Sequence, residues 1–289
     1  MNPPTEAPLS KYLNEEAIGA FAASAYAKPN ISVVANGASQ ADLSKWVGEF
    51  FGDVADKPAF DLSSPVTKYY GGEERISHSS ETNAYVIAFP GSSSFTSGSY
   101  KPEVAVLAAL LGGKSAIKWS PGFSLLAKAA ASSQGANIST THAAYSDAGL
   151  LTINLSGSAW AVRRASIEVV KVLKSIAEGS ISKEDFTKAV ARAKYESLEE
   201  GQNIEAGLVA TGAGLIQGGK PFQFEEVTKA IESVSQDSLK AVSLLLMPSD
   251  SAYANVKQAA KSLLEGKASV AAVGDLYGLP FAEELGLKV

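Results

Sequence analysis

The sequence predicts an α+β fold, a two-layer α/β sandwich in which helices pack against a mainly antiparallel sheet. Strand candidates come first, a block of helical segments follows them, and one further strand candidate, Ala268–Gly274, returns near the end of the chain. This order is typical of α+β layer structures and differs from the strict alternation of strands and helices in parallel sheets. The pattern changes after Pro65, and we therefore expect two domains, residues 1–64 and residues 65–289.

The first segment is predicted to be a helix–strand–helix unit. Asn14 is a suitable N-cap for a helix over Glu15–Tyr26. Ile31–Ala35 is a short apolar strand candidate, and Asp42–Phe51 has the apolar spacing of an amphipathic helix. This unit is too small for a complete domain, and the Gly- and Pro-containing stretch after it is typical of a linker.

The second segment contains four strand candidates before its helical block. They are Thr67–Ile76, Ala84–Phe89, Asn137–Tyr145 and Leu150–Ser156. Residues Ser146–Gly149, between the last two, have the composition of a hairpin turn. The adjacent glycines Gly71 and Gly72 indicate a bulge or a close backbone approach in the first candidate.

Six stretches of the second segment have helical spacing: Pro102–Leu111, Phe123–Ser132, Trp160–Ala177, Lys183–Leu198, Ile204–Gln217 and Phe224–Ile231. Gly112-Gly113 is expected to end the first of them. Ser182, with Asp185 in the first turn, is expected to cap the fourth. A further helix is predicted to begin near Gln236, with Pro248–Tyr253 as a surface insertion in it.

The composition indicates a folded globular protein, with 46% hydrophobic and 19% charged residues. A net charge of −5 without a concentrated basic patch argues against a nucleic-acid partner. The chain has no cysteine, which excludes disulfides, thiolate nucleophiles and Cys-ligated metals. No apolar run approaches the roughly 20 residues that span a bilayer, so membrane association is expected only through partners.

The residues that could carry hydrolytic chemistry are few and scattered. His78 and His142 are the two histidines, and no pair of histidines has the one-turn spacing that a zinc peptidase helix needs. A Ser/His/Asp triad would have to use His142 and Asp147, which is formally possible but has no nucleophile-elbow motif behind it. We therefore predict no catalytic residue and no metal ligand.

Two glycine-rich stretches resemble nucleotide-binding motifs without their structural context. Ala108–Ser115 fits a permissive phosphate-loop pattern, but the residues before it are helical, whereas a phosphate loop follows a strand and opens a helix. Gly212-Ala213-Gly214 with Gly218-Gly219 lies inside a helical stretch, where close helix packing is the better interpretation. No cofactor-binding residue is predicted, and no cofactor is expected.

Several motifs, in matching order along nearly the whole chain, carry a resemblance to a known family. Tyr70–Arg75 looks like the family's YxGGExR strand, and Pro102–Lys114 falls where its members have a helix and a glycine-rich loop. Ala144–Leu150 is similar to a shared strand pair, and Gly274–Leu285 resembles the family's C-terminus. The chain thus resembles the M16-type mitochondrial processing peptidase family, in particular the core subunits of quinol–cytochrome c reductase (complex III).

The resemblance implies two homologous α+β domains in a complete member. Residues 1–64 then correspond to the end of the first domain plus a linker, residues 65–289 to the whole second domain, and the zinc motif of active relatives lies outside the chain. Glu6 and the lack of arginine near the N-terminus argue against a mitochondrial presequence there. Active single-chain relatives present an Arg and a Tyr from the second domain to the substrate, and Phe123–Thr141 shows no such pair.

The resemblance also implies a non-catalytic structural subunit on the matrix side of the mitochondrial inner membrane. Its expected partners are core protein 1 and the other complex III subunits, in a dimeric complex, with no nucleic acid. The alternative is the non-catalytic, substrate-binding half of a mitochondrial processing peptidase. A structural subunit should carry a sizeable apolar contact surface.

Overall fold

The computed structural model describes residues 13–62, 65–113, 122–132, 135–177, 180–234 and 266–289. By its internal contacts the chain divides into two compact units. The first unit is Met1–Val66 with Asn203–Phe222, and the second is Thr67–Gln202 with Gln223–Val289. A helix from the second sequence segment therefore groups with the first unit, and the assignment of 1–64 and 65–289 to two homologous domains stays a prediction.

The second unit is built on a five-stranded sheet of β1 (Gly72–Ser77), β2 (Asn83–Pro90), β3 (Ala136–Ala144), β4 (Gly149–Gly157) and β5 (Ser269–Gly274). The strand order is β1-β5-β2-β4-β3. β1 and β5 are parallel, and the other neighbouring pairs are antiparallel. The predicted α+β class and the mainly antiparallel sheet are confirmed.

The described helices are α1 (Glu15–Ala25), α2 (Gln40–Phe50), α3 (Pro102–Leu111), α4 (Leu125–Ser132), α5 (Ala159–Ala177), α6 (Lys183–Gly201), α7 (Ile204–Gly218) and α8 (Phe224–Ser233). In the second unit α3, α4 and α5 contact the sheet, and α6 and α8 pack outside α3. The sheet face under the helices carries the buried core, in which Tyr85, Ile87 and Phe89 alternate along β2.

The opposite face of this sheet carries mostly small and polar side chains. Ala84 and Ala271 are exposed, and Val86 and Asn154 are half-buried. Because neighbouring residues of a strand point to opposite faces, this alternation divides the sheet, among the described residues, into a covered face and an open one.

The first unit has little core of its own among the described residues. Ser24 and Ala27 are buried, while Ile18, Phe21, Trp46 and Phe50 are exposed. A cleft of about 500 Å³ lies between α2 and the segment before it, with Ile31, Val33, Leu43, Val47 and Phe51 in its walls. Within this unit, the Ser32 Oγ donates a 3.1 Å hydrogen bond to the Gly212 carbonyl of α7.

Most predicted helix ends agree with the structure within a few residues, and the exceptions have local causes. Asn14 accepts from the Ala17 amide and Ser182 from the Asp185 amide, as predicted for N-caps. α2 begins at Gln40, two residues early, because Ser39 is its N-cap. α4 begins at Leu125, two residues late, because the Ser124 Oγ accepts from the Ala127 amide.

Two strand predictions need correction. Ile31–Ala35 has no strand partner among the described residues, although Ile31 has extended dihedral angles. β1 begins at Gly72 and not at Thr67, and a Cβ at Gly71 would lie 2.5 Å from the Lys267 Cβ, so the predicted close approach is confirmed there. The helix expected near Gln236 and the insertion at Pro248–Tyr253 lie outside the described residues.

Candidate functional site

His142, the better buried of the two histidines, is occupied by backbone contacts. Its Nε2 lies 3.0 Å from both the amide nitrogen and the carbonyl oxygen of Ser92. Burial lowers the pKa of His142, and the hydrogen bond to the Ser92 backbone opposes this only in part. The imidazole therefore fastens the loop after β2 to strand β3.

The formally possible Ser/His/Asp triad with His142 and Asp147 is not assembled with Ser92, the serine whose backbone contacts His142. The Ser92 Oγ accepts from the Lys101 amide at 2.6 Å and donates to the Ser93 carbonyl, so it does not contact the imidazole. Asp147 accepts from the Thr67 amide at 2.8 Å, and this bond lowers the pKa of its carboxyl. Each of these three side chains therefore bonds to a backbone group and not to the other two side chains.

The other histidine also lacks the surroundings of a metal ligand. His78 is exposed, and its backbone amide donates to the Gly274 carbonyl. Within the described ranges, no three His, Asp or Glu side chains lie together in a way that could hold a metal ion. The described helices likewise include none that is long and apolar enough to cross a membrane.

The glycine-rich stretches have packing roles where the structure describes them. Gly112 ends α3 with a φ of 57°, and a Cβ there would meet the Ser124 side chain at 2.4 Å. The helix therefore precedes the glycines, as the sequence predicts; Lys114 and Ser115 lie outside the described residues. Gly212 packs against Ser32, 3.3 Å from where its Cβ would be. In both contacts a serine side chain packs closely against the backbone of a glycine.

A groove of about 680 Å³ lies between α3, α4 and α6. Leu110, Leu125 and Ala189 form part of its apolar floor, and charged side chains of α6 form a wall. These charges are paired, Asp185 with Lys128 and Arg192 with Glu196. Asp185 has a lowered pKa, chiefly because it accepts a hydrogen bond from Lys128. Its described lining residues thus present ion pairs and no group set up for proton transfer.

The structure brings together two motifs that are far apart in the sequence, the glycine–glutamate strand and the C-terminal segment. Arg75 of β1 donates to the carbonyls of Leu276, Leu279 and Pro280 at 2.8–3.1 Å. Its guanidinium also lies 3.9 Å from the centre of the Phe281 ring. We call Glu73, Arg75 and the segment they hold, Leu276–Ala282, the C-terminal clamp.

Glu73 completes the clamp from the same face of β1. One carboxylate oxygen pairs with Arg75 at 2.8 Å, and the other accepts from the Ala282 amide at 3.1 Å. Both side chains are largely buried, with 15% and 13% of their surface exposed. The i, i+2 spacing of Glu73 and Arg75 in a strand is the sequence signal that they share a face.

Asn83 ties the end of β5 to the sheet, a role that sequence reasoning missed. Its Oδ1 accepts from the Asp275 amide at 2.7 Å, and its Nδ2 donates to the Gly157 carbonyl at 3.1 Å. A Cβ at Gly274 would lie 2.2 Å from the Asn83 Oδ1, and the φ of Gly274 is 130°. Only glycine fits this position, because both space and backbone conformation exclude a side chain.

The described surface carries many exposed large hydrophobic side chains. In α1 they include Ile18 and Phe21, and in α2 they include Trp46 and Phe50, of which Phe50 is 74% exposed. On the second unit, Trp160 and Tyr277 are exposed, and Gly278 packs against Ala159 at the start of α5. Apolar exposure of this extent is typical of surfaces that contact other proteins.

Comparison with known proteins identifies close relatives. Over 99% of its length, the chain is 51% identical to the mitochondrial cytochrome b-c1 complex subunit 2 of Neurospora crassa. Over 93% of its length, it is 33% identical to the protein of the same name from Cryptococcus neoformans var. grubii. The chain spans 59% and 57% of these two relatives, less than two thirds of their length.

The fold has a counterpart in a solved structure, and a family model matches most of the chain. A chain of complex III2 from Candida albicans, solved with Inz-5 bound, matches with a TM-score of 0.69 at 15% identity. The match covers 86% of this chain and 56% of that one, and at this identity it establishes the fold alone. The model of the Peptidase M16 inactive domain matches residues 12–193. The chain therefore belongs to the family of Peptidase M16 inactive domains.

Proposed function

We propose that this chain is part of a non-catalytic core subunit of the mitochondrial cytochrome b-c1 complex, complex III, which it supports structurally. The observation that carries the proposal is the 51% identity, over 99% of the chain, to a protein named as subunit 2 of that complex. The hydrogen bonds of the residues that could formally make a Ser/His/Asp triad support the proposal. Ser92, His142 and Asp147 each hold backbone, and none contacts another as a proton-transfer pair.

The proposed partners are core protein 1 and the other subunits of a dimeric complex III. In this proposal the chain lies on the matrix side of the inner membrane and is peripheral to it, held by partners. The exposed apolar side chains of α1 and α2 fit this proposal, because such side chains are covered in stable assemblies by the rest of their domain or by a partner. Cofactor chemistry is assigned to other subunits of the complex.

The domain assignment proposed with this function makes residues 1–64 the end of a first M16-like domain and residues 65–289 a complete second one. A short internal correspondence supports it. Residues Ser32–Gly37 read SVVANG, and Ser269–Gly274, which form β5, read SVAAVG. Both segments end in a glycine of positive φ, 84° at Gly37 and 130° at Gly274. The shared pattern fits equivalent segments in two homologous domains.

The test is native electrophoresis of mitochondrial membranes from cells in which the gene product is tagged. The tagged protein is expected to migrate with cytochrome b at the size of the dimeric complex, and its depletion should lower the amount of that complex. Migration apart from cytochrome b would contradict the proposal. Zinc-dependent cleavage of a basic presequence peptide by the tagged protein would favour the peptidase alternative instead.

A further inference from the structure

The sequence contains one Asn-Gly dipeptide, Asn36-Gly37, in the loop between the extended segment Ile31–Ala35 and α2. An asparagine before a glycine can close into a ring, because the backbone nitrogen of the glycine can attack the side-chain carbonyl carbon of the asparagine and release ammonia. Glycine favours this closure, since it has no Cβ to crowd the attacking nitrogen and its backbone turns freely. The surroundings of Asn36 in the fold then decide whether the ring can close.

The surroundings of Asn36 leave this reaction open. Asn36 and Gly37 are both exposed and lie in a bend outside the helices and strands. Gly37 has a φ of 84°, and apart from its chain neighbours no atom of the described residues lies within 4 Å of the position that its Cβ would occupy. Within the described part of the chain, neither the Asn36 side chain nor the Gly37 amide forms a hydrogen bond. The attacking nitrogen and the side-chain carbonyl are therefore free to approach each other.

The side chains of the other described asparagines, with one exception, are held by hydrogen bonds. Two of them accept from backbone amides at helix N-termini, and three donate to carbonyl or hydroxyl oxygens: Asn14 and Asn203, and Asn30, Asn83 and Asn154. Each of them is also followed by a residue with a side chain. Both groups that the ring closure needs are therefore less available at these positions than at Asn36.

Asn137 is the exception and provides an internal control. It is exposed like Asn36, and its side chain forms no hydrogen bond with the described residues. Asn137 lies in strand β3, however, paired with Ser156 of β4, and the next residue is the buried Ile138. The strand keeps the Asn137 backbone extended, and the β-branched side chain of Ile138 crowds the nitrogen that would have to attack. Exposure is therefore common to both asparagines, and the following residue and its backbone freedom distinguish them.

We propose that Asn36 is a modification site, at which the folded chain deamidates spontaneously and forms isoaspartate. The Gly37 nitrogen bonds to the Asn36 Cγ, its proton passes to the side-chain nitrogen, and that nitrogen leaves as ammonia, which gives a succinimide. Water then opens the ring at one of its two carbonyls and leaves aspartate or isoaspartate. Water is the one co-reactant, and each product carries one more negative charge than Asn36.

The modified residue lies in the link between the two walls of the cleft in the first unit. Ile31 and Val33 precede this link, and Leu43 and Val47 of α2 follow it. Isoaspartate adds a methylene group to the main chain of the link, whereas aspartate changes only its charge. A negative charge near the N-terminus of α2 is favourable to the helix dipole, so the aspartate form is expected to keep the fold.

The test is to incubate the purified 289-residue chain at mildly alkaline pH and to follow its asparagines by peptide mass spectrometry. A synthetic peptide of residues 33–40 gives the rate without the fold. Asn36 in the folded chain is expected to react within about tenfold of the peptide rate, and about tenfold or more faster than Asn137. Isoaspartate is detected by its methylation with protein isoaspartyl methyltransferase and S-adenosylmethionine, and Asn36→Gln should remove most of this methylation.

A larger reduction of the rate in the folded chain, relative to the peptide, would overturn the proposal, because it would show that the loop keeps Asn36 and Gly37 from closing the ring. Equal rates at Asn36 and Asn137 would also overturn it, and so would unchanged methylation of Asn36→Gln. The reaction needs no partner protein, so these outcomes do not depend on the proposed place of the chain in complex III.

Discussion

Arg75 joins strand β1 of the second unit to the C-terminal segment. Its guanidinium holds three backbone carbonyls and the Glu73 carboxylate, and Phe281 lies against its face. A planar fork with five donors can make these bonds together, whereas the ammonium of lysine cannot. Leu279 and Pro280 are buried, so removing the donor leaves their carbonyls without this partner.

Arg75→Ala is expected to lower the free energy of unfolding by about 3 kcal/mol, because it leaves the buried Glu73 charge uncompensated. Urea unfolding followed by circular dichroism would measure this. Arg163→Ala is the matched control, since Arg163 pairs with Glu284 at a part-exposed site, and it should cost less than about 1 kcal/mol. Equal losses for the two variants would contradict the clamp.

Because burial lowers its pKa, His142 is expected to make the free energy of unfolding decrease as the pH falls. Its folded-state pKa is below the ordinary histidine value of about 6.5 because burial disfavours the imidazolium. The unfolded state therefore binds the proton first, and stability falls as the pH drops below about 6.5. The loss continues until the pH is below the folded-state pKa.

His142→Gln is expected to flatten the decline in stability between about pH 7 and pH 5, because its amide keeps a polar partner near Ser92 without titrating. The melting temperature measured across that range is the readout. His78→Gln is the control, since His78 is exposed. A decline of unchanged slope in His142→Gln would show that other groups cause it.

At the scale of elements, caps and helix stops decide where each helix begins and ends. Ser182 caps α6 and its hydroxyl also donates to the Asp185 carboxylate. Gly112 ends α3 with a positive φ of 57°, which residues with a side chain rarely adopt. These are local features, and the sequence predicted both of them because capping depends on residues within one turn.

Gly112→Ala is expected to destabilise the fold by more than about 2 kcal/mol, because the new Cβ would meet Ser124 and the φ is positive. Thermal unfolding is the measurement. Gly48→Ala, inside α2 with open space around it, is the control and should be stabilising by about 0.5–1 kcal/mol. A neutral Gly112→Ala would mean that the loop after α3 can move away.

The element that local reasoning misjudged is the segment Ile31–Ala35. Its apolar β-branched run predicts a strand, and the residues before it end α1 as expected. A strand, however, is defined by its partner, and no described residue pairs with this segment. The residues do have high β propensity, but whether a segment forms a strand depends on the segments beside it in the fold.

At the scale of the whole molecule, the apolar surface of α1 and α2 is the main consequence of the fold. Trp46 and Phe50 lie one helical turn apart and are both more than half exposed. Side chains of this size in water favour association with another surface. Among the described residues of the chain these side chains stay exposed.

The purified chain is expected to self-associate as its concentration rises, and Trp46→Glu with Phe50→Glu should shift it towards the monomer. Sedimentation velocity measures both. Tyr277→Glu, at a fully exposed position of the second unit, is the matched control and should leave association unchanged. Monomeric behaviour of the unsubstituted chain would argue against a contact role for α1 and α2.

The sequence alone determined features that act within a few residues: the helices, the caps Asn14 and Ser182, the β3–β4 hairpin, the roles of Gly71 and Gly112, and the exclusion of thiol chemistry. Tertiary structure alone decided which distant segments meet. Glu73 and Arg75 hold carbonyls and amides about two hundred positions away, β5 inserts beside β1, and α7 groups with the first unit. The reason is physical, since turns and caps are fixed by local backbone sterics and hydrogen bonds. Sheet order and open faces depend on chain closure and burial over the whole fold.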